Sequence, residues 1–360
     1  MAFRLLPRTI TFYRALRVQL STHCVNDCLY CPFTGRPLSQ LPAKKLVRGL
    51  TNKARRRGIH TMEIVSGERV WELDEIHSTL AYLGLPSFDD YVAMIQAQVD
   101  AVNAADGGMM FPVWNVGPLT STETRLWRPS LLSVKLAVDP ADPLLWREGP
   151  LRQSPRKTLP QRLKAIEVLG QACIPTTVVL NIGVGESAPF REKTLRILET
   201  IHQKYKHIQS LEVAPYKPRR LDAWEPEAII RNEEIVEFLA LARKTLPREI
   251  VLQIRPLNHL EILPQLIQAG VRDFGAFYYT DNESMNTHID FVLAQLHKYL
   301  HRMNFRFKER IPLFDRFIER GWFPTAYLAP VTRFARMRRD RSLPPPAIRR
   351  AIPAGAASMP

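Results

Sequence analysis

The chain has 360 residues, 46% of them hydrophobic and 24% charged. That is enough apolar material for one large barrel or two average domains, and too much for a disordered or fibrous chain. The net charge is +15. Part of it sits in residues 331–360, which hold seven arginines and one aspartate, and a Leu-Pro-Pro-Pro-Ala run there marks a disordered basic tail over 336–360. A basic balance invites nucleic acid, but no zinc finger, RNA-binding sheet motif or aromatic-basic array accompanies it, so a solvated basic surface is expected instead. No run approaches the roughly 20 apolar residues of a membrane span. The first residues, Met-Ala-Phe-Arg-Leu-Leu-Pro-Arg, lack the apolar core of a signal peptide. Only four cysteines are present, three of them clustered, which fits a reducing cytoplasm and not a disulfide framework.

Apolar, β-branched stretches alternate with amphipathic ones along the chain. Strands are predicted at 15–21, 60–66, 109–114, 131–138, 175–182, 208–214, 249–254 and 271–277. Helices are predicted between them at 39–57, 87–105, 159–172, 189–204, 232–245, 260–269 and 287–302. Ser39 is read as the N-cap of the first, whose Leu46, Val47, Leu50 and Ala54 recur at helical spacing. No clear helix stands between Trp114 and Leu131. Eight strand–helix units predict an α/β fold of the TIM-type (β/α)8 kind, closed or nearly closed, over 1–302. A C-terminal helical extension follows over 303–335.

The chemistry is concentrated in Cys-Val-Asn-Asp-Cys-Leu-Tyr-Cys, where Cys24, Cys28 and Cys31 stand at C-x3-C-x2-C spacing in the loop after the first strand. Three thiolates hold three irons of a [4Fe-4S] cluster and leave the fourth open. A structural zinc site is the main alternative, but it asks for four ligands, and His23 abuts Cys24 too closely to serve. The remaining cysteine, Cys173, reads as a small core residue. Three strand ends carry further signals. Val65–Arg69 brings Gly67 for close backbone approach and Glu68 to receive an ammonium. In Val179–Glu186 an apolar strand ends in Gly183, Gly185 and an acid that equally caps the next helix. In Phe111–Gly117, Asn115 is either a ligand to substrate or ribose, or a turn former.

The cysteine spacing resembles that of the radical S-adenosylmethionine (SAM) superfamily. The resemblance implies that Tyr30 lies beside the adenine of SAM, that Gly67 and Glu68 hold its amino group, and that Gly183 and Gly185 offer backbone contacts to adenine. Further stretches are similar to one family, 7,8-didemethyl-8-hydroxy-5-deazariboflavin synthase. They are Ile10–Arg14, Cys24–Thr34, Ser66–Arg69, Ser154–Lys157, Ile174–Thr177 and Ile182–Glu186, with His207–Gln209 and Gln253–Asn258 fainter. The resemblance implies a lyase that cyclises a hydroxybenzyl-ribityluracil adduct to the deazaflavin of coenzyme F-420 with loss of ammonia. It also implies a small-molecule substrate, a separate partner synthase that supplies the adduct, and an electron donor such as ferredoxin or flavodoxin. The chain departs from the family at Phe111–Gly117, at Asp281–Asn286, and at Lys135, where an acid is expected. These departures keep open a related radical SAM enzyme of the biotin-synthase or menaquinone-pathway type. A non-enzymatic basic module holding a structural metal is the third reading. Arg69, Lys135, Arg152, Lys157 and Arg255 are candidate polar contacts for a uracil or carboxylate.

Overall fold

The computed structural model describes residues 8–34, 40–218, 224–280 and 282–339. Eight parallel strands close on themselves: β1 (Thr9–Gln19), β2 (Thr61–Val65), β3 (Phe111–Asn115), β4 (Ser133–Val138), β5 (Thr176–Ile182), β6 (Ile208–Pro215), β7 (Val251–Gln253) and β8 (Val271–Tyr279). Each pairs with its neighbour in sequence, and β1 pairs with both β2 and β8. This is the closed (β/α)8 barrel that the alternation predicts. Strands of a parallel barrel are covered on both faces, which is why β2 is buried at every position.

Several boundaries differ from the sequence reading. β1 starts earlier, at Thr9, and a ninth strand, β9 (Arg306–Glu309), pairs parallel with its first half. The first helix runs Lys44–Arg56 after an extended Ala43, and Ser39 lies outside the described residues. The gap before Leu131 holds a short helix, Ser121–Leu126, opened by a Thr120–Glu123 capping box. Six residues are too few to show a helical apolar period. The helix Leu328–Arg339 runs through the boundary drawn at 335, and the tail from 340 on lies outside the described residues. No described helix is long and apolar enough to cross a membrane.

Two apolar clusters fill the layer between strands and helices, one around β2, β3 and the helix Phe88–Ala104, the other around β5 to β8. The barrel interior is polar. Lys135 from β4 sits 3.2 Å from Glu63 of β2 and 3.0 Å from Glu212 of β6, all but excluded from solvent. Glu212 also accepts from Gln253 Nε2 at 2.8 Å and Arg255 Nε at 2.9 Å. Lys135 and Arg255 hold its carboxyl down at about 2 against the opposing effect of burial. Beneath this layer Arg310, just past β9, donates to both carboxylate oxygens of Asp273 at 2.7 and 2.8 Å and closes the bottom of the barrel.

Lys135→Met removes the cation between two buried carboxylates. Urea unfolding should show a loss of about 3–5 kcal/mol, and Glu63→Gln in the same chain should restore part of it. An undiminished stability in Lys135→Met would show that the ion triad does not hold the barrel together. Two buried histidines set the acid limb. Burial lowers His207 to about 3 and His202 to about 4 from an ordinary 6.5. Both stay neutral when folded but charge in the unfolded chain, so their contribution is complete above about pH 6.5 and is lost as pH falls towards those values. The slope should approach about 1.4 kcal/mol per pH unit for each, read from urea midpoints between pH 7.5 and 5.

Candidate functional site

The residues after β1 do not continue as a strand. Leu20 N–H donates to Val65 O at 2.8 Å, and Gly67 N–H donates to Ser21 O at 3.0 Å, so the incoming cysteine loop is laid against the end of β2. The approach is so close that a Cβ on Gly67 would stand 1.6 Å from the His23 carbonyl oxygen and 2.8 Å from Cys24 Cβ. Only glycine fits.

Each sulfur meets a hydrogen-bond donor. Cys24 Sγ accepts from Glu68 N at 3.3 Å and Asn26 N at 3.4 Å, Cys28 Sγ from the Ser154 hydroxyl at 3.1 Å, and Cys31 Sγ from Phe33 N at 3.5 Å. Burial, and then the nearby Glu68 carboxylate, push the Cys24 thiol up to about 12, and burial raises Cys28 as well. A buried thiolate here therefore needs a positive counterpart, which a bound iron provides. No group of three His, Cys, Asp or Glu side chains among the described residues is arranged to hold one metal ion. Three sulfurs with donors behind them, placed on one cavity and not on one point, instead suit a cluster that takes each thiolate on a separate iron.

That cavity is about 410 Å³ and opens at the C-terminal ends of the strands, lined by all three cysteines, Tyr30, Gly67, Glu68 and Asn115. A larger hollow of about 710 Å³ lies elsewhere, beside Arg69, Arg156 and Lys164, and contains none of the sulfurs. Glu68 is held by Arg162 and by Asn26 Nδ2 at 3.0 Å. Both bonds fall on Oε2, which leaves Oε1 without a partner among the described residues. The Tyr30 hydroxyl accepts from Lys157 Nζ at 2.6 Å and bonds Asp139, whose carboxylate also receives Asn181 Nδ2 at 3.0 Å. Lys157 lowers Asp139 against the effect of burial. This group ties the cysteine loop to β4 and β5.

Gly183 and Gly185 do not line the cavity. Both have positive φ, and the turn is closed by Glu186, which accepts from Gly183 N at 2.7 Å and Val184 N at 2.8 Å. Of the candidate polar contacts, Lys157 and Arg255 line the cavity. Lys135 lies beneath it, Arg69 pairs outside with Glu72 and Glu123, and Arg152 covers Trp224. Sequence reasoning assigned no role to Arg17, Asp139, Ser154, Arg162, Asn181 or His259. The period-2 alternation of β1, which turns Tyr13, Ala15 and Arg17 inward, was the available signal for the first.

No protein-family model matches the chain. It is similar to relatives named 7,8-didemethyl-8-hydroxy-5-deazariboflavin synthase. The relative from Methanococcoides burtonii is 26% identical over 322 residues, 88% of this chain and 93% of that protein. The Archaeoglobus fulgidus protein is 28% identical, covering 89% and 94%. The Methanoculleus marisnigri protein is 29% identical, covering 87% and 91%. The resemblance read from scattered motifs thus extends over most of both chains. The fold is shared with the FeFe-hydrogenase maturase HydG from Carboxydothermus hydrogenoformans, with a TM-score of 0.62 at 19% identity over 84% of this chain and 68% of that one. It is shared too with methylornithine synthase (PylB), with a TM-score of 0.60 at 14% identity over 84% of each.

Gly67→Ala forces the cysteine loop off the end of β2. After anaerobic reconstitution, bound iron should fall several-fold while far-ultraviolet circular dichroism stays that of the wild type. Full iron content in this variant would mean that the close approach does not position the sulfurs.

Proposed function

We propose that the protein is a radical SAM enzyme performing the deazaflavin-forming cyclisation, a lyase reaction that releases ammonia from a hydroxybenzyl-ribityluracil adduct. The observation that carries this reading is the convergence of Cys24, Cys28 and Cys31 on one cavity at the barrel mouth, in a chain similar to named synthases over nearly its whole length. That full-length similarity favours it over a radical SAM enzyme of another pathway and over a metal-holding basic module.

Bound in the cavity, a [4Fe-4S] cluster with SAM supplies reductive cleavage of a sulfonium and a carbon radical able to take a hydrogen atom from substrate. The chain's part is to hold, orient and enclose. Cys24, Cys28 and Cys31 would give a bound cluster its three thiolates. Glu68 Oε1 is available for the SAM ammonium, while Arg162 and Asn26 fix the other oxygen. Tyr30 presents a ring whose hydroxyl is locked by Lys157 and Asp139, which suits it to lie against adenine. Asn115 is placed to bond ribose or substrate at the end of β3. A low-potential donor such as ferredoxin or flavodoxin, a separate synthase supplying the adduct, and a cytoplasmic setting complete the reading.

Protein reconstituted anaerobically with iron and sulfide, then given SAM, reductant and the adduct, should yield 5′-deoxyadenosine and a fluorescent deazaflavin. Deoxyadenosine without deazaflavin would overturn the substrate, and neither product would overturn the enzyme class. Cys28→Ala should reduce SAM cleavage to background with the barrel still folded, since Cys28 is buried in a small cluster under the loop and not in the two clusters that pack the barrel.

A further inference from the structure

Arg17 stands apart from the other charged side chains of the cavity. Glu68 pairs with Arg162, Lys157 with Asp139, and Glu212 with both Lys135 and Arg255. Arg17 lines the same cavity, is exposed to it, and has no carboxylate partner among the described residues. It projects from β1 on the inward-facing side, in step with Tyr13 and Ala15. A guanidinium on the inward face of a barrel strand, facing a cavity with no carboxylate beside it among the described residues, is free to pair with an anionic or polar group that enters.

Its neighbourhood holds it in place. The Arg17 guanidinium lies 5.7 Å from the centroid of the Tyr278 ring, and that of Arg255 lies 5.0 Å from the same ring. Tyr278 is held in place by its hydroxyl, which donates to Glu63 Oε1 at 2.8 Å. These residues come from β1, β8 and the end of β7, adjacent strands of one arc. Glu68 and Asn115 come from the ends of β2 and β3 on the other side of β1. Glu212 already neutralises Arg255, so the arc carries one uncompensated positive charge, that of Arg17.

The geometry points to a substrate subsite: Arg17, backed by Tyr278 and Arg255, receives the pyrimidinedione edge of the substrate, a planar heterocycle whose acidic N–H lets it carry negative charge on its ring oxygens. A guanidinium offers two parallel N–H donors in one plane, which match the ring nitrogen and neighbouring oxygen of such an edge once its N–H is ionised, better than an ammonium does. The Tyr278 ring behind it, with the guanidinium 5.7 Å from its centroid, orients that fork towards the cavity. This inference rests on the cyclase reading and names the part of the molecule that the arc recognises.

Equilibrium binding to reconstituted, SAM-loaded protein tests it with two probes, the full adduct and the ribityluracil lacking the hydroxybenzyl group. Wild-type protein should bind both. Arg17→Met should bind both about tenfold to a hundredfold more weakly, at unchanged iron content and circular dichroism. Arg17→Lys, which keeps charge without the fork, should fall between. Wild-type affinity in Arg17→Met would overturn the subsite while leaving the cyclase reading intact. A loss confined to the full adduct would overturn it as well, because the phenol and not the pyrimidinedione would then be the group held. Wild-type protein that binds neither probe and makes no deazaflavin would overturn both.

Discussion

Lys135 decides where the barrel is solid and where it is open. A parallel barrel of eight strands must fill its own interior, normally with layers of branched apolar side chains. Here the middle layer is ionic: one ammonium between Glu63 and Glu212, with Gln253 and Arg255 completing the second carboxylate. Buried charge is tolerable only when fully paired and hydrogen-bonded, so each member fixes the others. The layer below is sealed by Asp273 and Arg310, and the arginine comes from the extension beyond the barrel. The C-terminal segment is therefore a stopper for the bottom of the barrel as well as an added lobe. With the lower half closed, the free volume collects at the upper rim, where the cysteines are.

The rim is shaped by contact with the barrel more than by the loop itself. Cys24–Cys31 has no regular secondary structure, and its conformation is imposed from outside. Gly67 lets the loop touch the end of β2, Ser154 reaches Cys28, Pro150 O accepts from Leu29 N at 3.0 Å, and Asn26 accepts from Arg156 N at 3.1 Å. The segment 150–157 between β4 and the helix Leu159–Gln171 thus works as a strap across the loop. Its Lys157 also brings a positive charge near Cys28, where thiolate charge would otherwise be opposed by burial.

The barrel was legible because its signal is repeated: eight apolar strands spaced by helices leave few other topologies. The cysteine site was legible because its spacing is dense and local. Gly67 and Glu68 were singled out by their place at the end of the second strand, and both line the cavity. What stayed hidden depends on contacts between distant segments. Nothing in the neighbourhood of Arg17, Asp139 or Arg162 in sequence indicates that they meet at one mouth. Gly183 and Gly185 stand differently, outside the cavity lining. Their pattern is that of a ligand-facing turn, yet Glu186 takes up the amides that such a turn would offer. β9 was too short to register, and the helix Ser121–Leu126 went unseen, its capping box being its one local signal.

The departures from the synthase pattern sort by where their side chains go. Trp114 points outward, donates from Nε1 to Ser130 O at 3.0 Å and packs near Trp127, so it changes helix packing and not the cavity. Asn115, one residue on, still faces inward. Asn286 accepts from Thr280 N at 2.9 Å and shapes the turn after β8. Lys135 alone alters the charge of the interior, and it does so beneath the cavity. An acid at that position would add a third carboxylate to Glu63 and Glu212, leaving Arg17 and Arg255 to compensate. With lysine there, the two glutamates are satisfied from below and Arg17 is left free to face whatever enters from above. Lys135 and Arg17 thus meet different neighbours: the lysine meets the two glutamates, and the arginine meets the Tyr278 ring and the cavity.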